Sequence, residues 1–155
     1  MSQTGNHSER AHARLSASGS HRWMACTASP AMEDKFPDTS SEAAREGTLA
    51  HEYSEALLRY DLELITEQER DAEIERIRAH ALYKPDMDNY VQQYVDYFHE
   101  KLGEAAKVDP SAFGEIETRL DFSHVVPDGF GTGDGLIVSS DRLYVIDLKY
   151  GRGKV

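Results

Sequence analysis

The sequence is short of the features that would assign it to several large classes. One cysteine in 155 residues, Cys26, excludes an internal disulfide and any all-cysteine metal site within the chain. No apolar run approaches the roughly 20 residues of a membrane span, and no charged start leads into an apolar stretch as in a secretory signal. A cytoplasmic protein without membrane contact is therefore expected. Basic residues are scarce: 17 Lys and Arg stand against 28 Asp and Glu, a net charge of -11, which argues at first sight against a partner as anionic as DNA. Much of that excess is local. Twelve acids and six bases lie between Asp61 and Lys107, while Arg152 and Lys154 close the chain with no acid beside them, so bulk charge leaves the question open.

What is present is an ordinary soluble composition, 39% hydrophobic and 29% charged, on a length suited to one domain. Residues 1–15 are polar and aperiodic and are expected to form a flexible arm, with residues 16–155 as the domain proper. Ser18 or Ser20 is placed to cap a short helix carrying Trp23, Met24 and Cys26, and Pro30 to Asp38 reads as a loop. Cys26 beside Trp23 is read as a small structural hydrophobe.

Three longer helices follow. Ser40 or Ser41 opens one that runs to about Tyr60, with Ala50, Tyr53, Leu57 and Tyr60 at helical spacing. Thr66 and Glu69 form a capping-box signature for a second, solvent-facing helix to about Leu82. After Pro85, the recurrence of Val91, Val95, Phe98 and Leu102 marks a third with one buried face.

Beyond Pro110 the period falls to two: Ile116, Thr118, Leu120 and Phe122 alternate with Glu115, Glu117, Arg119 and Asp121. Glu117, though a spare carboxylate, reads as surface. Further strands are expected over residues 131–139 and 142–150, joined by a turn at Ser140 and Asp141. The fold class expected is α+β: helices over residues 16–107, then a three-stranded antiparallel meander over 113–155. A turn centred there pairs residues whose numbers sum to 281, which sets Asp134 across from Asp147. Asp147 and Lys149 share one face of the last strand, and Tyr144, Ile146, Leu148 and Tyr150 the other; with Asp147 between Ile146 and Leu148 the strand reads as central and the carboxylate as buried.

Two aspartates opposed in this way repel unless a cation lies between them, and Mg²⁺ or Mn²⁺ suits such a carboxylate pair. Lys149 would then stabilise charge developing on a phosphate. The same residues also admit a plainer reading, in which Asp147 and Lys149 are an edge-strand ion pair and Asp134, among Gly131, Gly133 and Gly135, is a turn residue. Alternate glycines from Gly129 to Gly135 fit neither a dinucleotide nor a Walker phosphate loop.

Asp134, a gap, and then Asp147-Leu148-Lys149 resemble the D-x(n)-(D/E)-x-K signature of the PD-(D/E)XK nuclease superfamily. Gly47-Thr48-Leu49-Ala50-His51 is similar to the G-x-x-x-H motif of its RecB-like branch. The segments SASGSHRWMAC, PDTSSEAAREGTLAHE and GTGDGLIV…VIDLKYGRGKV together resemble a phage-associated family known only as a domain of unknown function, number 2800, over residues 14–155. The resemblance implies a restriction-endonuclease-like core and a metal-dependent deoxyribonuclease, an exonuclease or recombination nuclease of phage origin. His51, Asp134 and Asp147 would hold Mg²⁺ or Mn²⁺, Asp134, Asp147 and Lys149 would be catalytic, and the partners would be DNA and phage recombination or replication proteins. Glu55, one turn beyond His51, is a candidate to orient its imidazole. Related nucleases continue past the lysine strand into a Q-x-x-x-Y helix and a further strand, whereas this sequence ends five residues after Tyr150, so the catalytic core is expected to be incomplete at its C-terminus. The three late cysteines of an iron-sulfur cluster are absent, and no such cluster is expected. The alternative function is a truncated, non-catalytic DNA-binding or assembly module.

Overall fold

A computed structural model describes residues 13–36 and 41–151. The chain divides into two compact units, Met1–Thr39 with Arg119–Thr132, and Ser40–Thr118 with Gly133–Val155.

In the first unit two short helices, α1 (Ser20–Ala25) and α2 (Ser29–Glu33), follow one another. Neither Ser18 nor Ser20 caps α1. Gly19 holds the N-cap, and its own N–H is taken by the Ser16 hydroxyl at 3.1 Å. The Trp23 indole N–H donates to the Ser16 carbonyl at 2.9 Å, so the ring is tied to the chain before the helix. Cys26 is exposed rather than a buried structural residue. The loop expected from Pro30 contains α2 instead, because proline in a first helical turn gives up an N–H that has no intrahelical partner there. Of the arm expected over residues 1–15, residues 1–12 lie outside the described ones; Ala13 is buried and Arg14 pairs with Asp34 at 2.7 Å.

The second unit begins where the Ser41 hydroxyl accepts the Ala44 N–H at 3.1 Å, fixing the start of α3 (Glu42–Asp61). Thr66 and Glu69 form the reciprocal capping box of α4 (Glu67–Arg78), the carboxylate accepting the Thr66 N–H at 2.8 Å. This helix stops at Arg78 rather than near Leu82, because the Leu82 N–H turns to the His80 ring nitrogen at 3.2 Å. It faces solvent except along Ile77, which is fully buried, and Ile74, which packs partly against the core. α5 (Asp86–Val108) presents Met87, Val91, Tyr94, Val95 and Phe98 inward. With Leu49, Ala50, Tyr53 and Leu58 of α3 and Ile137, Ile146 and Leu148 of the sheet region they make the core. No helix among the described residues is long and apolar enough to cross a membrane.

Three strands, β1 (Phe113–Asp121), β2 (Phe130–Val138) and β3 (Leu143–Ile146), form an antiparallel sheet in the order β1-β2-β3, so the fold is α+β. Gly135↔Ile146 through Val138↔Leu143 are paired, the register that a turn at Ser140 and Asp141 requires. Asp109 closes α5 onto that hairpin: its carboxylate accepts the Ser140 N–H at 2.6 Å and the Ser111 N–H at 2.9 Å. Gly135 lets α5 approach β2 closely, since a Cβ there would lie 2.7 Å from the Tyr94 hydroxyl and 3.1 Å from the Phe98 ring.

β3 is shorter than the strand expected over residues 142–150, and it lies at an edge of the sheet rather than its centre. Its ladder ends at Ile146, although Leu148 remains buried and Tyr150 partly so, as alternation requires. In β1 the alternation of Ile116 and Thr118 with outward neighbours holds, but Leu120 is exposed.

Candidate metal centre

α3, β1 and β2 each deliver one ligand-bearing side chain to the same place. On α3, Gly47 faces the Tyr150 carbonyl, which would be 3.4 Å from an added Cβ, so the helix lies against the segment after β3. One turn further along, His51 points its Nδ1 at Asp134 Oδ2, 3.4 Å away. Asp134 occupies the middle of β2, and its side chain is only 16% exposed. Its Oδ2 accepts the Leu148 N–H at 2.9 Å. The carboxylate thus takes an amide just past the end of the β3 ladder, which is the local reason the strand pairing expected up to Tyr150 is replaced there.

Glu117 is the third member. Ligand atoms of His51, Glu117 and Asp134 all lie within 4.8 Å of one another. Its backbone is left-handed, with φ of 49° inside a strand, a conformation that non-glycine residues seldom adopt. Burial pushes the Glu117 carboxyl upward, the neighbouring Asp134 and Glu55 carboxylates add to the shift, and His51 opposes it. The buried Tyr94 phenol is also raised, first by desolvation and then by Asp134, Glu117 and Asp147, so three acids share its surroundings.

Asp147 and Lys149 are not in this cluster. Lys149 Nζ lies 2.6 Å from Asp147 Oδ2, and the two side chains are 84% and 52% exposed. Asp147 is exposed rather than buried because it lies past Ile146, the last paired residue of β3 among the described residues. The register does carry Asp134 toward Asp147, yet pairing stops one position short, at Gly135 and Ile146. Glu55 does not orient the imidazole; it holds Arg59 at 2.9 Å.

His51 and Asp134, read from the sequence, therefore converge; Glu117 is exposed, as its alternation predicts, and its carboxylate nonetheless reaches them. Its alternation with Glu115 and Arg119 gave no sign of a left-handed residue. One imidazole and two carboxylates form a donor set of hard oxygens with a single borderline nitrogen, which fits a divalent ion such as Mn²⁺ or Mg²⁺ and lacks the thiolates that favour soft metals. Like charges held this close without a cation would repel, and Asp134 adds to the rise that desolvation already gives the Glu117 carboxyl.

No solved structure matches the chain. The family model described as "Protein of unknown function (DUF2800)" matches residues 12–155, nearly the whole sequence, and the chain belongs to that family.

Proposed function

We propose that this protein is a metal-dependent nuclease that hydrolyses phosphodiester bonds in DNA. The observation that carries the reading is the meeting of His51, Glu117 and Asp134 within 4.8 Å, from three separate elements. Leu148, the residue between Asp147 and Lys149, is hydrogen-bonded to Asp134, so the last two candidate groups flank a residue that touches the cluster. His51, Glu117 and Asp134 would hold the ion, with Asp147 able to join them once freed from Lys149. When bound, a divalent ion supplies Lewis acidity toward a phosphate oxygen and a water nucleophile at neutral pH. Lys149, released in turn, offers an ammonium to the charge that gathers on the phosphate. DNA as substrate, Mg²⁺ or Mn²⁺ as the ion and a place in phage recombination or replication rest on the resemblance of Asp134, Asp147-Leu148-Lys149 and Gly47-to-His51 to the RecB-like nucleases.

The test is degradation of linear DNA by the purified chain in Mg²⁺ or Mn²⁺. Activity is expected, and Asp134→Asn and Asp147→Ala should each abolish it; undiminished activity in both variants would overturn the reading. One observation favours a second reading, a non-catalytic DNA-binding or assembly module: Asp147 and Lys149 neutralise each other outside the cluster. Calorimetry that finds metal binding without turnover would select it.

A further inference from the structure

A cleft of 870 Å³ is lined among others by Glu42, Lys84, Asp86, Tyr90, Lys149 and Tyr150. It shares α3 with the cluster: Glu46, also in its wall, precedes His51 by five residues, about 7.5 Å along the helix axis. Its other link is Lys149, which follows the Leu148 held by Asp134.

Two features define what the cleft can hold. Tyr90 and Tyr150 meet edge to face, ring centres 5.9 Å apart at 67°, so one phenol ring is braced by the other while Tyr90 remains 52% exposed. The charges are mixed, with both lysines paired and acids in slight excess. Lys84 is bound to Glu46, Lys149 to Asp147, and Glu42 and Asp86 stand in the first turns of α3 and α5, where helix dipoles favour them. A wall of this kind is no funnel for bare phosphate, and it is too polar for an aliphatic ligand. A planar ring with both donors and acceptors on its edge satisfies it.

We propose that this cleft is a stacking subsite for one unpaired nucleobase, taken from the nucleotide next to the phosphate at the cluster, with Tyr90 as its platform. The inference deepens the nuclease reading and rests on it for the choice of ligand. It makes single-stranded nucleic acid, or a frayed end, the form that binds.

The probe is a fluorescently labelled single-stranded DNA oligonucleotide titrated into the full chain with metal chelated, so that no turnover occurs. Tyr90→Ala should weaken binding about tenfold, the order of one lost base stack. Tyr90→Phe should retain wild-type affinity, and a wholly abasic oligonucleotide should bind wild type and Tyr90→Ala alike. Equal affinity of wild type and Tyr90→Ala for the normal oligonucleotide overturns the inference, as does binding of blunt duplex as tight as that of the single strand. If DNA is cleaved in an Asp134-dependent way while Tyr90→Ala binds normally, the subsite alone falls. If Tyr90-dependent binding is found but no cleavage, the subsite stands and the nuclease reading falls.

Discussion

The Asp134 carboxylate accepts the Leu148 N–H at 2.9 Å and lies 3.4 Å from the His51 ring nitrogen, so a single side chain both terminates strand pairing and faces the imidazole. The two roles can be separated by substitution. Asp134→Asn keeps an acceptor for Leu148 and should fold with a melting temperature near that of the wild type, yet lose the stabilisation that Mn²⁺ gives the parent. Asp134→Ala loses both and should fall by about 1.5–3 kcal/mol, the value of a hydrogen bond to a charged group. Thermal melts with and without Mn²⁺ read both effects.

Glu117 should make stability and metal affinity move in opposite directions with pH. Its carboxyl is raised above the usual 4.5, so the folded state binds its proton more tightly than the unfolded chain. Stability from this group is present at low pH and declines as pH rises from about 4.5 through the raised value. Metal affinity should climb over the same window, because the ligand must be deprotonated. Glu117→Gln is expected to flatten the decline, seen in urea midpoints across that range, and to weaken Mn²⁺ binding measured by calorimetry.

Asp109 carries the opposite sign. Hydrogen bonds from Ser111 and Ser140 hold its carboxyl down at about 2, below the usual 3.8. Its contribution is complete above 3.8 and disappears as pH falls through about 2. Acid unfolding of Asp109→Asn should therefore be shallower than that of wild type between those two limits, followed by circular dichroism.

The close approach of α5 to β2 should be visible as coupling. Gly135→Ala would force a methyl to within 2.7 Å of the Tyr94 hydroxyl and should cost about 1–3 kcal/mol. Tyr94→Phe removes that oxygen and should recover part of the loss in the double variant, while the Phe98 ring, at 3.1 Å, keeps the recovery incomplete. Denaturant unfolding of the four proteins gives the interaction energy.

The elements legible in the sequence were those governed by local chemistry. Ser41 and the Thr66–Glu69 pair announce helix starts because capping is a contact over three residues. The pairing of Leu136 with Val145 follows from the turn at Ser140 and Asp141 alone. His51, Asp134 and Gly47 are legible through motif spacing, and the structure sets Gly47 against the Tyr150 carbonyl. Features that depend on distant partners escaped. The end of β3 is set by Asp134 reaching the amide of Leu148, 14 residues away, and α2 forms over a stretch whose prolines suggested a loop. Asp147 was expected in a central strand, and only the order of the sheet puts it at the rim.

The inverted backbone twist at Glu117 also bears on how β1 finds its place. Its neighbours Ile116 and Thr118 are both β-branched, the side chains that tolerate that twist least. Sliding the strand by one position would transfer the kink to one of them, so the same residue that offers a carboxylate works as a pawl, admitting a single alignment with β2 and rejecting its nearest competitors.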